Sequence, residues 1–198
     1  MERARTGSPH RVTGLPALAA ALTVTALLVG SGTAIARDPA PFSARSGVDI
    51  ATAAAHAWAA DAYLVYLEND EDLTDTGTSD RWGYLFYSPG RHEARVYSVR
   101  DGKILHAEDF TVRVDPPPVS TEWVDSQTAF AVAEEKAGVK YRTEHAGASE
   151  TMLLMRGAFH DRDPNATTWT VVYRAPDTPS LFVVVDARTG KVARTWRG

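Results

Sequence analysis

The chain has 198 residues, with 21 Lys plus Arg against 25 Asp plus Glu and no cysteine. Three of the basic residues and one acidic residue fall in the first 36, so the other 162 carry 18 basic and 24 acidic residues and a formal charge of −6. Basic residues scattered singly among acids exclude a surface that tracks nucleic-acid phosphates. The lack of Cys excludes thiol catalysis, Cys-based zinc sites and lipid attachment through an N-terminal Cys, and leaves burial alone to stabilise the fold.

In chain order, the first element is a secretory signal. Arg3, Arg5 and Arg11 precede the apolar run LPALAAALTVTALLVG, residues 15–30, and then the small-x-small site Ala34-Ile35-Ala36. The run is shorter than the roughly 20 residues that cross a bilayer. Cleavage near Ala36, no stable membrane span afterwards and a secreted or periplasmic location are therefore expected. Residues 37–47, RDPAPFSARSG, read as a flexible tail.

From Asp49 to about Ala62 the residues Ile50, Ala54 and Trp58 recur at i, i+4 and i+8 beside Ala51, Ala55 and Ala59, which makes an apolar helical stripe. Tyr63 to Glu68 is a further apolar segment. Trp82, Tyr84 and Phe86 alternate as a half-buried strand does, and Ala94 to Val99 supplies its hairpin partner. Asp101-Gly102-Lys103 turns the chain, and Ile104 opens another strand.

The same layout recurs downstream. Aligning Trp82 with Trp169 gives an offset of 87 and brings Pro89 onto Pro176; Gly102-Lys103-Ile104 falls on Gly190-Lys191-Val192 at an offset of 88. Asp125 or Ser126 caps a second helix with Ala129, Phe130 and Ala133 on its apolar side and Gly138 as its C-terminal cap. Met152 to Arg156, Trp169 to Tyr173 and Leu181 to Asp186 follow as apolar segments. The expected fold class is α+β: two tandem units, residues 48–114 and 122–198, each a helix packed on a small antiparallel sheet. Three consecutive prolines make residues 115–121 a Pro-rich linker between them.

The stretch W-T-V-V-Y, followed by L-F-V-V-V-D-A-R-T-G-K-V and preceded by an Ala-rich helix, resembles the PepSY domain of secreted bacterial peptidase propeptides. The resemblance covers residues 125–198 and, more loosely, 48–106. It implies a small module that binds or restrains peptidases without catalytic residues of its own. No peptidase segment follows within the chain, so the partner is expected in trans.

The remaining motifs point to no catalytic, cofactor-binding or metal-binding residue. Glu68, Asp70, Glu71, Asp72, Asp75 and Asp80 lie on one acidic loop, and Asp161, Asp163 and Asn165 on another. Both lack the spacing, Gly and late Glu of a calcium loop and read as solvated. His56, His92, His106, His145 and His160 fit no metal or nucleophile motif. Trp58, Trp82 and Trp169 read as core, whereas Trp123 and Trp196 are the candidates for a contact surface. Asp186 reads as a carboxylate that accepts from turn amides. The expected function is an exported non-catalytic module that binds a protein or peptide, with a secreted peptidase as partner. The alternatives are a structural or assembly-assisting envelope protein, and a hydrolase whose acids and histidines converge between the two units.

Overall fold

The eight strands of this chain form one antiparallel sheet in the order β4-β3-β2-β1-β5-β6-β7-β8. The structure, a computed structural model, describes residues 40–157, 159–160 and 163–198. The signal segment and cleavage site expected from the sequence lie outside the described residues.

The first half runs α1 (Ala44–Trp58), β1 (Tyr63–Asn69), β2 (Trp82–Ser88), β3 (Glu93–Arg100) and β4 (Lys103–Thr111). The second runs α2 (Ser126–Ala133), a π-helical turn (Glu134–Gly138), α3 (Val139–His145), β5 (Ala148–Arg156), β6 (Thr167–Ala175), β7 (Thr178–Asp186) and β8 (Lys191–Arg197). Each set of four strands is a meander. The sets meet where β1 pairs with β5 through Tyr66↔Met155, Leu67↔Leu154 and Glu68↔Leu153.

This continuous ladder overturns the expected α+β class of two helix-on-sheet units. Of the described residues 44% are strand and 22% helix, so the protein is mostly β. The apolar segments at Tyr63 and Met152 are the two central strands. Pairing them buries Leu67, Met152 and Leu154 completely, which separate small sheets would leave at an edge.

The helices cover one face of the sheet, α1 against β1 to β4 and α2 against β6 to β8. Trp82, Tyr84 and Phe86 from β2, and Trp169, Val171 and Tyr173 from β6, point into this layer and are buried. A single core thus spans both halves. The Trp82 and Trp169 rings meet edge to face at 6.3 Å, and Trp123, expected on the surface, is buried at 5.7 Å from Trp169.

Helix α1 begins at Ala44, five residues before the expected start and inside the stretch expected to be a tail. Its cap comes from a distant segment. The Ala44 amide donates to Ser126 Oγ at 3.1 Å and the Arg45 amide to Asp125 Oδ1 at 3.1 Å, while the same carboxylate oxygen accepts from Ser126 N at 2.7 Å. One aspartate therefore serves the amino ends of both helices. The Arg45 guanidinium closes the junction, 3.8 Å from the Trp123 ring centroid and bonded to the Trp123 carbonyl.

Gly138 does not end the second helix. It has right-handed helical angles, and the chain continues to His145 before Ala146 turns left-handed. A Cβ at Gly138 would overlap the Tyr173 hydroxyl and the Glu134 carboxylate, so glycine is required there by close packing. Residues 115–121 are not a spacer either: Val119 N donates to Leu64 O at 2.8 Å, Tyr63 OH to Pro116 O at 3.0 Å, and Ser120 N to Thr167 Oγ1 at 3.0 Å. The prolines strap the end of β1, β5 and β6.

Candidate functional site

Alternation along the strands sends every second side chain to the face without helices. Across the register this face carries Val96, Leu85, Tyr66 and Met155 on β3, β2, β1 and β5, then Thr168, Thr170, Val184 and Phe182 on β6 and β7. Leu85, Val96, Met155 and Phe182 are half-buried: Leu85 packs against a small buried cluster of Val65, Tyr87 and Ala94, and Thr168, Thr170 and Val184 farther along the face are buried. The Thr170 hydroxyl is buried among them without a hydrogen-bond partner.

The strap of prolines deepens this face into a depression of about 360 Å³ lined by Val65, Tyr66, Leu85, Pro116, Pro117 and Met155, with Arg156 at its rim. The one phenol in the floor is kept neutral. Burial first, and then the hydrogen bond from Tyr66 OH to Glu68 Oε2 at 2.6 Å, pushes its pKa well above the ordinary range. A depression of this composition offers mainly dispersion contacts.

Further along the same face Trp196 stacks on Phe182 with ring centroids 4.8 Å apart and planes 4° from parallel. Phe159, from the β5–β6 connection, packs against Trp196 at 5.5 Å, and the Arg194 guanidinium lies 4.9 Å from the Trp196 ring. Trp196 is thus where the sequence placed it, at a surface.

A polar pocket of about 360 Å³ lies at one end of the sheet, between Ser120, Arg156, Asp163, Thr167, Asp186 and Arg188. His160 stands 3.6 Å from Asp186 through Nε2, and its Nδ1 accepts from the Asp163 amide at 2.9 Å. With Nδ1 an acceptor, the neutral ring carries its proton on Nε2 and faces the carboxylate. Asp186 Oδ1 also accepts from Thr189 N at 2.7 Å and Thr189 Oγ1 at 2.8 Å, the turn-amide role expected of it. Burial works against ionisation of Asp186, but the Thr189 bonds and the nearby His160 and Arg188 outweigh it and hold the carboxyl below its ordinary pKa. Asp186 and Asp163 hold turns, through Thr189 and through Asn165 N at 2.9 Å.

The other histidines are far apart in the fold. His56 meets the Ala62 carbonyl, His92 lies 4.0 Å from Asp115, His106 meets Glu108 on β4, and His145 packs on the Tyr141 ring. Among the described residues no group of three or more His, Cys, Asp or Glu converges as a metal site would require. The acidic loop after β1 is more ordered than a solvated loop. Asp70 accepts from Ser98 Oγ at 2.5 Å, Arg81 bridges to Glu71 at 3.1 Å, and the buried Ser79 exchanges main-chain bonds with Phe42.

The residues of the helix-free face were missed as a surface because attention to Trp82, Tyr84 and Phe86 fixes one phase of each strand. The signal was the other phase: Leu85 on β2, and Leu153 and Met155 on β5, are apolar where solvent-facing positions are ordinarily polar.

No family model matches the chain, and no curated protein matches it. The fold is similar to that of the crystal structure of a "putative lipoprotein" from Clostridium difficile 630. The TM-score is 0.55 with 13% identity over 82% of this chain and 95% of the other. At that identity the likeness is one of fold.

Proposed function

We propose that the chain is exported and acts outside the cytoplasm as a non-catalytic module that binds a protein or peptide in trans. A secreted peptidase is the partner that its resemblance to the PepSY domain implies. The apolar helix-free face carries this reading. A sheet covered on one side ordinarily turns polar residues outward on the other, and an apolar band rimmed by Arg156, Arg194 and Glu68 has the composition of a docking surface. The dispersal of the histidines and the engagement of both His160 nitrogens support a binding role over hydrolysis. The signal-like N-terminus and the like fold of a "putative lipoprotein" support an extracytoplasmic setting.

The test is retention and inhibition. Immobilised protein is expected to retain a secreted peptidase of its host and lower its activity. Leu85→Asp, which puts a charge in the depression, is expected to release it while leaving the circular dichroism spectrum unchanged. Peptidases that pass through unretained and fully active would refute the reading.

A further inference from the structure

The two edges of the sheet differ in charge. β4 carries both signs: Asp109 pairs with Arg95 on the adjacent strand at 2.7 Å, and Glu108 lies 3.1 Å from His106. β8 reads KVARTWR, with Lys191, Arg194 and Arg197 and no acid. Among the described residues, no carboxylate lies within ion-pair distance of Lys191, Arg197 or the neighbouring Lys136. Lys140 meets Glu144 at 3.8 Å, but both side chains are largely exposed, and such a pair holds its charges weakly.

Lys136, Lys140 and Arg197 border a groove. The register places Thr195 and Arg197 opposite Val183 and Leu181, on the helix side of the sheet. A depression of about 410 Å³ there is lined by Lys136, Lys140, Tyr141, Leu181, Thr195 and Arg197. The Arg197 guanidinium lies 5.1 Å from the Tyr141 ring centroid. Mutual bonds between Gly198 and Ser180, at 3.0 and 3.1 Å, fix the end of the strand. The register shift between Val184 and Val185 makes Ala193 a bulge; beyond it the ladder is regular, and since Ser180 and Gly198 exchange both bonds, alternation turns the main-chain groups of Thr195 and Arg197 outward.

We infer that this stretch of β8 accepts an extended acidic peptide segment as an added strand. The segment's main chain pairs with the open edge, and its carboxylates meet Lys136, Lys140 and Arg197. Two observations select this occupant. The outer main-chain groups of an edge strand are unpaired and recruit another strand, a property a lipid surface would not use. The basic side chains Lys136, Lys140 and Arg197 complement an anionic ligand and disfavour a second copy, whose edges carry both signs on β4 and the same cations on β8. The inference goes beyond the binding-module reading: it assigns a second site, at the sheet edge, apart from the helix-free face.

The probe is a fluorescein-labelled peptide of about seven alternating Val and Glu residues, titrated against the full protein by anisotropy. Saturable binding is expected. It should weaken at least about tenfold when alternate peptide amides are N-methylated, and by a similar factor in the protein variant K136E/K140E/R197E. The single variant Lys140→Glu, on an exposed position, gives the same readout if the triple variant does not fold. Equal binding of the N-methylated peptide, binding of phosphatidylglycerol vesicles in place of the peptide, or no saturable binding overturns the inference. The two readings separate cleanly. Peptide binding unchanged in K136E/K140E/R197E, with the peptidase still retained, removes the edge and keeps the module, whereas peptide binding without peptidase retention removes the peptidase and keeps the edge.

Discussion

Trp169 shows how one side chain links the layers of this molecule. Its ring is fully buried, its Nε1 donates to the Val124 carbonyl at 2.8 Å, and it meets both Trp82 and Trp123 edge to face. Trp169→Ala should cost about 3 to 5 kcal/mol, read as a lower urea midpoint at constant slope. Asp186 makes a second, pH-dependent prediction. Its folded pKa lies below the ordinary carboxyl value, so it stabilises the fold above about pH 4, where the unfolded carboxyl is also ionised. That contribution disappears as pH falls through the folded value and both states become protonated. Asp186→Asn should therefore be less stable than wild type at neutral pH, and the two stability curves should converge on acidification. Both residues were legible in the sequence, Trp169 from strand alternation and Asp186 from the turn after it. Trp123 was not, because it lies in a segment without periodicity and is buried by Arg45 and Trp169, remote in the chain.

Among the elements, α1 has the least self-sufficient beginning. The side chain of Ser43, at its N-cap, makes no hydrogen bond to the helix amides, and the amides of Ala44 and Arg45 turn instead to Ser126 and Asp125. The alanine stripe at Ala51 and Ala55 was readable and is buried as read. The start of the helix was not readable, since a sequence rule looks for the cap within a few residues and here it stands about eighty residues away. Gly138 misled for a related reason: a glycine after an apolar stripe reads as a terminator, whereas this one makes room for Tyr173. Asp125→Ala should destabilise by about 1 to 2 kcal/mol. Because the carboxylate serves two helix ends, amide exchange should quicken at Ala44 and Arg45 as well as at Ser126. Faster exchange confined to Ser126 would show that the bond to α1 contributes little.

For the whole molecule, the decisive contact is the short ladder between β1 and β5. Repeat spacing and alternation made most strands legible, yet they gave no sign that the halves share a sheet. A central strand and an edge strand show the same period of 2, and the difference lies in a pairing chosen between residues about ninety positions apart. Once that ladder forms, the halves are bound by more than strand pairing. The Trp82–Trp169 contact, the shared Asp125 cap, the proline strap from Tyr63 to Thr167, and Asn69, whose Oδ1 accepts from Met152 N at 2.6 Å and whose Nδ2 donates to Glu150 O at 3.1 Å, all cross the junction. Removing either half would expose Leu67 or Leu154 along a new edge and leave α1 or α2 without its packing partners at the amino end. The protein is therefore expected to unfold in one transition, with tryptophan fluorescence and far-ultraviolet circular dichroism tracing the same urea curve. Fragments 40–121 and 122–198, expressed apart, should each lack cooperative unfolding and regain it when mixed. Two separated transitions, or one fragment that folds alone, would mean that the common core is weaker than its buried aromatic contacts require.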